Sequence, residues 1–471
     1  MVEFAPAAAA RRVVIIGAGI SGLAAAWELS QREPTTEIVV LEAADHIGGK
    51  LRRAEVAGVS VDVGAESLLA RRPEGIELID ALGLSDELIT PLTLSAQIRA
   101  GGANHPLPAR TMMGIPGDLS ALRTSGVLSA AALARVEAEP EAEPLEPLVD
   151  DLAVGTLVRQ RLGDEVLERL VEPLLGVVYA GRADALSLTA TMPAIAAALR
   201  HGTGSLVRAA RDSAAPPIAV PGPVFVSLPG GLARLPEALA ATGNFTVRTG
   251  VTVRAIRRRE LGFALDCGAA PESSELLADA VIVATPAAKA AVLLRELSAV
   301  AARELASIET ASMAIVTLAY RDIETPAGSG LLVGSAEGFA VKAVTVSSQK
   351  WPGAPAGLTL LRASIGRAGE VHDLQRDDAE LIALARRDLA PLLGIGANPI
   401  DARVTRWGGG LPQYAVGHVD RVARIGAALA SVPGVAICGA SYQGLGIPAC
   451  IASAARAVET IVAAAAPRPA G

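Results

Sequence analysis

The segment that most constrains the fold is a glycine-rich loop at residues 17–22, GAGISG, between an apolar run and a helical pattern. Residues 12–42 fit a strand, the loop, a helix and a second strand, which is one βαβ unit. Gly17 permits a tight turn, Gly19 lets a phosphate approach the backbone, and Gly22 lets the helix pack closely on the strand. Free N–H groups at the helix start favour an anion. The loop therefore predicts a dinucleotide-binding site.

Three later segments favour FAD over a nicotinamide dinucleotide. Glu42 ends the second strand, at the distance expected of a carboxylate that binds a ribose hydroxyl. Gly48 and Gly49 follow six residues later, where many flavoproteins bring backbone near the diphosphate. Residues 251–253 and 279–286 are expected to return to the same domain, and a strand, glycine turn and helix at 435–465 complete it.

Composition excludes several classes of protein. A chain of 471 residues, 51% hydrophobic and 19% charged, predicts two or three folded lobes. Its net charge of −7 disfavours a nucleic-acid surface. Three isolated cysteines predict neither a metal site nor a disulfide framework. With no uninterrupted apolar stretch of about 18 residues and no basic leader, we expect a cytoplasmic protein without a transmembrane segment.

The pattern along the chain predicts an α/β plus α+β fold. A Rossmann-type FAD-binding domain is interleaved with an antiparallel-sheet substrate domain and a helical lobe. Residues 136–151, rich in glutamate and proline, predict an exposed linker with solvated acidic side chains. We assign 11–80, 221–290 and 405–466 to the FAD domain, 81–104 and 291–404 to the substrate domain, 105–220 to the helical lobe, and 1–10 and 467–471 to flexible tails.

Five short, separated sequence motifs narrow the choice of protein family. They are 62–67 (DVGAES), 105–108 (HPLP) with 114–116 (GIP), 179–181 (YAG), 411–418 (LPQYAVGH) after Trp407, and 439–448 (GASYQGLGIP). In this order they resemble the soluble bacterial protoporphyrinogen/coproporphyrinogen oxidases, of the amine-oxidase-like flavoprotein superfamily. The resemblance spans nearly the whole chain.

The resemblance implies oxidation of a porphyrinogen to the porphyrin in haem biosynthesis. This six-electron process would proceed by three two-electron reductions of FAD, each reversed by O2 to give H2O2. Positioning of the macrocycle would matter more than a strong base. Ferrochelatase, which would receive the product, is a candidate transient partner. Coproporphyrinogen carries four propionates against two in protoporphyrinogen, and the arginines near residue 71, with Arg99 and Arg110, favour coproporphyrinogen III.

The motifs and the resemblance together give the candidate site residues. Glu66 is the candidate catalytic group near the flavin ring, although a carboxylate bonded at a strand end would look the same. Arg71, Arg72 and Lys342 are candidate substrate-binding cations, and Lys342 would need an acidic partner if it faced inward. The candidate cofactor-binding residues are Gly17, Gly19, Ile20, Ser21, Gly22, Glu42, Gly48, Gly49, Lys50, Gly64, Ala65, Glu66, Ser67, Val253, Ala284, Trp407, Tyr442, Gly446, Ile447 and Pro448.

Other functions remain open at this point. An amine oxidase or carotenoid desaturase would share the cofactor domain. Against the first, only 3% of residues are aromatic, whereas amine sites commonly have aromatic walls. Against the second, the chain has no basic amphipathic face for a membrane. A carrier that binds flavin and porphyrin without turnover is a further alternative.

Overall fold

The computed structural model describes residues 11–214, 222–269 and 273–465. The predicted flexible tails, 1–10 and 467–471, lie outside the described residues. So do 221 and 466, at two predicted domain boundaries.

The elements are numbered along the chain. The strands are β1 Arg12–Ile16, β2 Glu37–Leu41, β3 Arg53–Val56, β4 Val59–Asp62, β5 Leu68–Leu69, β6 Ala96–Ala100, β7 Ala103–Pro106, β8 Thr111–Met112, β9 Ile115–Pro116, β10 Phe225–Val226, β11 Thr246–Arg248, β12 Val253–Arg258, β13 Phe263–Cys267, β14 Ser274–Ala278, β15 Ala280–Val283, β16 Thr310–Arg321, β17 Gly330–Val333, β18 Val341–Val346, β19 Leu358–Ile365, β20 Asp401–Pro412 and β21 Val435–Ile437. The helices are α1 Ile20–Arg32, α2 Pro73–Ala81, α3 Leu119–Ser125, α4 Ala130–Ala138, α5 Val154–Leu162, α6 Asp164–Val166, α7 Glu172–Tyr179, α8 Leu188–Thr191, α9 Pro193–Arg200, α10 Leu206–Ser213, α11 Arg234–Ala241, α12 Ala287–Leu294, α13 Ala299–Ala306, α14 Ser347–Lys350, α15 Asp378–Leu393, α16 His418–Ala430 and α17 Ile447–Ala465.

A five-stranded parallel sheet in the order β11-β2-β1-β15-β21 forms the centre of the first domain. Its strands are apolar runs because helices and a small sheet cover both faces. Helices α1 and α17 pack on one face, and β12–β14 with α12 and α13 cover the other. Three late strands, β11, β15 and β21, complete a sheet that begins at residue 12, and the late helix α17 packs on it. The predicted discontinuous Rossmann-type fold is confirmed.

A seven-stranded sheet in the order β20-β16-β19-β18-β17-β6-β7 forms the second domain. Its pairs are antiparallel except β17 with β6, so the predicted antiparallel sheet is confirmed. Helix α15 covers one face through an apolar cluster, and the helical lobe approaches the other through Leu332. Strand β20 runs through the predicted boundary at residue 404, which therefore lies inside a strand.

The helical lobe has its own core, built from residues of β6, β9 and α3–α10. One prediction within it is wrong. Glu139, in the segment expected to carry solvated acids, is only 3% exposed. Its carboxylate accepts hydrogen bonds from Ser205 Oγ and the backbone N–H groups of Leu206 and Val207, and it pairs with Arg161. Because these groups are donors at the start of α10, the acid stabilises a helix N-terminus instead of facing water.

The last helix, α17, starts at Ile447, inside the segment 435–465 that the sequence predicts as strand, turn and helix. Among the described residues it is the one helix whose length and composition would let it cross a membrane. Its apolar face, including Ala454, Val458 and Ile461, is buried in the core shared with α1. A buried helix of a folded domain meets the same length and composition test.

Candidate active site

The glycine loop between β1 and α1 has the geometry that its sequence predicts. Gly17 has φ of +106°, a conformation that L side chains rarely adopt. A Cβ on Gly22 would lie 1.8 Å from the Gly17 carbonyl oxygen, so any side chain there would push α1 off the strand. No atom lies within 4 Å of a Cβ on Gly19, which leaves space for a ligand at the helix start. The loop is therefore shaped to hold an anion at the N-terminus of a 13-residue helix.

The Glu42 side chain lies beside the glycine loop. One carboxylate oxygen accepts the Ala18 N–H at 2.8 Å and the other accepts the Ala44 N–H at 2.9 Å. The two bonds fix the side chain beside the loop. Since each oxygen has a further lone pair, the carboxylate can also accept a hydrogen bond from a sugar hydroxyl.

A second loop approaches from residues 48–65. The Gly48 N–H donates to the Ala18 carbonyl at 2.8 Å, and the Ala65 N–H donates to the Lys50 carbonyl at 3.0 Å. A Cβ on Gly64 would lie 1.9 Å from that same Lys50 oxygen, so the close approach requires glycine. Burial lowers the pKa of the Lys50 ammonium. An anionic ligand would supply the counter-charge that this buried cation needs.

These loops line one large cavity of about 970 Å³. Its volume, its helix N-terminus and its carboxylate fit a dinucleotide such as FAD. Thirteen of the predicted cofactor-binding residues line it, namely Gly17, Gly19, Ile20, Ser21, Glu42, Gly49, Lys50, Gly64, Ala65, Val253, Ala284, Trp407 and Ile447.

The other predicted cofactor residues do not line the cavity. Gly22 and Gly48 act through packing and backbone bonds, as described above. Pro448 packs on α2 against Gly75, and Gly446 is exposed beside it. Tyr442 is buried in the apolar core behind the parallel sheet, with its carbonyl oxygen 2.9 Å from His418 Nε2. Ser67 is half-buried next to Glu66.

Glu66 lies outside the cavity in a buried ion-pair network. Lys350 Nζ donates to one carboxylate oxygen at 2.6 Å, and Arg362 donates to the other. Burial alone would raise the pKa of Glu66, but the two cations lower it to about 2. Arg362 also donates to the Gly64 carbonyl at 2.5 Å, which links the network to the cavity wall. A carboxylate held in this way is a weak base, and it acts on the site through the position of residues 64–65.

The predicted substrate-binding cations fall into two groups. Arg71 and Arg72 are exposed at the start of α2, do not line the cavity, and Arg72 pairs with Glu74 at 2.7 Å. Arg110 is also exposed, and Arg99 lies 3.6 Å from Glu337. Lys342 does not line the cavity either, but it differs from the arginines because it is 2% exposed and its Nζ has no hydrogen-bond partner among the described residues.

Sequence reasoning did not identify Lys350 or Arg362. Arg362 is the one charged residue of the mostly apolar β19, and a charge inside a buried strand was a signal that could have found it. Lys350 lies on the short helix α14 and gave no such signal. The apolar part of the cavity was also missed. It is walled by Val177 of α7, Met313 and Ile315 of β16 and Leu411 of β20, which come from three distant segments.

Comparisons with known proteins agree with this geometry. The family described as flavin containing amine oxidoreductase matches residues 20–462. The coproporphyrinogen III oxidase of Mycobacterium tuberculosis is 37% identical over 458 residues, covering 96% of this chain and 97% of that protein. The coproporphyrinogen III oxidase of Bacillus subtilis is 34% identical, with coverage of 94% and 96%. A solved structure from Exiguobacterium, described as a candidate protoporphyrinogen oxidase, is 32% identical with a TM-score of 0.86, covering 97% and 99%.

The family resemblance and the FAD cofactor inferred from the sequence are thus confirmed. A profile that matches residues 20–462 spans both domains and the helical lobe, so the likeness is not limited to the nucleotide loop. The chain belongs to the family of flavin-containing amine oxidoreductases.

Proposed function

We propose that this chain oxidises a porphyrinogen to the corresponding porphyrin in haem biosynthesis, with coproporphyrinogen III as the favoured substrate. The observation that carries the proposal is 37% identity, along nearly the whole chain, to a relative named for that activity. FAD, when bound, takes up the electrons in pairs and passes them to O2, which gives H2O2.

The cofactor end of the cavity would hold the dinucleotide by its anionic and hydroxyl groups. The N–H groups at the start of α1 would bind the diphosphate, and Lys50 would supply a positive charge. Glu42 would accept a hydrogen bond from a ribose hydroxyl. Residues 64–65 would bring backbone against the cofactor, and Arg362 of the Glu66 network holds the Gly64 carbonyl.

The other end of the cavity would hold the flat macrocycle between apolar walls. The ionisable side chains among the described lining residues are Glu42, Lys50, Arg254, Lys289 and Cys450, and none of them lies on β16, β20 or α7. Those three elements therefore contribute a mostly apolar surface to the cavity, and none of their lining side chains can act as a general base. This arrangement supports catalysis by positioning and by exclusion of water.

The decisive experiment is anaerobic addition of coproporphyrinogen III to the purified yellow holoprotein. We expect the flavin absorbance to bleach, porphyrin fluorescence to appear, and the yellow colour to return with H2O2 when O2 is admitted. Tight porphyrinogen binding with no bleaching would refute the oxidase and support the carrier. Bleaching without reoxidation by O2 would support porphyrinogen oxidation by the flavin but refute O2 as the electron acceptor.

An amine oxidase is the second enzymatic candidate, because the family description names amine substrates. Trp407 is the one aromatic side chain among the described lining residues. An aromatic cage that holds an ammonium substrate needs more than one ring. We expect primary amines to leave the flavin oxidised under the same anaerobic conditions, and bleaching by an amine would reverse the assignment.

Two finer statements belong to the same proposal. We place the enzyme in the cytoplasm, supported by the burial of the apolar face of α17 in the first domain. Transient contact with ferrochelatase would pass on the product. Co-sedimentation of the holoprotein with purified ferrochelatase, with and without porphyrin, tests that contact.

A further inference from the structure

Lys342 is a buried cation without a partner. It is 2% exposed, and no described atom accepts a hydrogen bond from its Nζ. A buried ammonium is costly unless an anion neutralises it. Burial, together with the nearby Arg367, lowers the pKa of Lys342 to about 7. An inward lysine was expected to have an acidic partner, but among the described residues no carboxylate bonds to its Nζ, and Glu370 acts on it only from a longer distance.

Lys342 lies at the same level of the large sheet as the apolar end of the cavity. It is the extra residue of an irregularity in β18 between Val341 and Ala343. Ala343 pairs with Ser364, which pairs with Ile315, and Ile315 lines the cavity. Two strand spacings of about 4.8 Å separate the ends of this row, so roughly 10 Å of sheet lies between the cavity wall and the lysine backbone. The Ser364 hydroxyl on that path is also buried and has no hydrogen-bond partner in the part of the chain that the structure describes.

The helical lobe covers the same face of the sheet. Leu332 is the next residue in the row after Ala343, and it packs against the core of the lobe. Helix α7 contacts both β17 and β18, and its residue Val177 lines the cavity. The cavity and Lys342 therefore share one layer between the sheet and the lobe.

The charges around Lys342 leave a positive excess. Arg367, which is 7% exposed, lies 3.8 Å from Glu370, and Glu370 is also paired with Arg182. Glu172 accepts the Ala183 N–H at 2.8 Å. Only Arg367 and Glu370 among these charges act on Lys342 directly, so at Lys342 two cations face one carboxylate, which also pairs with Arg182. Glu172 lies farther out, near Arg182 and Asp184. One further anion beside Lys342 would balance the two inner cations.

We propose that Lys342, with Arg367 beside it, binds a carboxylate on the inner edge of the tetrapyrrole and thereby selects a substrate with carboxylates on both edges. This inference rests on the proposed function. Lys342 is a specificity residue here, since it meets the substrate away from the atoms that are oxidised.

The chemistry of the two candidate substrates makes the assignment specific. The two propionates of protoporphyrinogen are neighbours on one edge, and its opposite edge carries vinyl groups. That molecule can leave its propionates in water and place only apolar groups inside. Coproporphyrinogen has propionates on both edges, so one edge must bring charge into the protein. A buried ammonium matches that requirement and gives no advantage to a vinyl edge.

The test compares wild type, Lys342→Met and Arg321→Met as holoproteins with both porphyrinogens. Arg321→Met is the matched control, because it removes a cation from an exposed position on the same sheet. Loss of a hydrogen bond to a charged group costs about 1.5–3 kcal/mol. We therefore expect kcat/KM for coproporphyrinogen III to fall about 10- to 100-fold in Lys342→Met, and that for protoporphyrinogen to change less than about threefold.

Binding of the product, coproporphyrin III, is measured in parallel by fluorescence and does not depend on turnover. Weaker binding to Lys342→Met but not to Arg321→Met supports the inference, even if the wild type oxidises neither porphyrinogen and the proposed function fails. Unchanged kinetics and unchanged binding in Lys342→Met overturn it. Equal losses with both porphyrinogens overturn the inner-edge selection. An unchanged flavin spectrum shows that the variant has folded.

Discussion

Replacing Glu66 with glutamine should destabilise the protein more than any surface charge change. The substitution keeps the shape of the side chain but removes the negative charge between Lys350 and Arg362, whose side chains are 16% and 9% exposed. Two buried cations would then lack a counter-charge. Breaking a buried ion pair in this way costs about 3–5 kcal/mol.

The pKa of Glu66 gives an independent magnitude. Burial raises it, but the two cations lower it overall from 4.5 to about 2. At about 1.36 kcal/mol per pH unit, this difference is on the order of 3 kcal/mol. Because the folded-state pKa is the lower one, this stability is fully present above pH 4.5 and is lost as the pH falls toward about 2. The Glu66→Gln variant should lack this contribution to stability at neutral pH, and the part of the pH dependence of unfolding that comes from Glu66 should disappear.

Urea unfolding of the holoproteins, followed by tryptophan fluorescence, measures the effect. Glu74→Gln is the matched control, since it breaks the exposed pair with Arg72 and should cost less than about 1 kcal/mol. Equal midpoints for the two variants would refute the argument. Turnover at saturating substrate separates the roles: an unchanged kcat in Glu66→Gln removes this carboxylate from the chemistry and leaves it a positioning residue.

Three further predictions follow from the same geometry. Lys342→Met should raise the free energy of unfolding near neutral pH, since an apolar side chain replaces an unpaired buried charge; a lower unfolding midpoint would contradict this. In the wild type, kcat/KM for coproporphyrinogen should fall above about pH 7 as Lys342 loses its proton, whereas a profile shared with Lys342→Met would assign the fall to Glu172 or another group. Lys50→Met should weaken FAD binding about 10- to 100-fold in an apoprotein titration, and undiminished affinity would remove Lys50 from the cofactor site.

The cofactor half of the site could be predicted because its signals are local. Gly17, Gly19 and Gly22 lie within six residues. Gly17 and Gly22 have steric reasons to be glycine, and the space beside Gly19 is open for a ligand. Glu42 follows at a distance that the βαβ unit sets. No long-range contact is needed for this inference. The late strands β15 and β21 were also found, because each is a short apolar run with glycine or proline nearby.

The charged network could not be predicted in the same way. Glu66 and Lys350 are 284 residues apart, and Glu66 and Arg362 are 296 apart. Periodicity shows which residues are buried but does not show which distant strands become neighbours. The prediction that Glu139 is solvated was wrong for the same reason. An acidic, proline-rich segment is usually solvated, and the partners of Glu139 at α10 lie more than 60 residues away.

Lys342 was predicted only in part from the sequence, and its burial bears on stability and on ligand binding in opposite ways. Its position in β18 was evident, but the irregularity that places it beside Arg367 depends on the pairing of β18 with β19. A protein selected for stability alone would carry an apolar residue there, since an unpaired buried charge opposes folding. Retention of the charge is therefore best explained by a ligand that neutralises it. Glu66 differs from Lys342, because it is already paired with Lys350 and Arg362. Its removal should therefore lower stability more than it lowers activity.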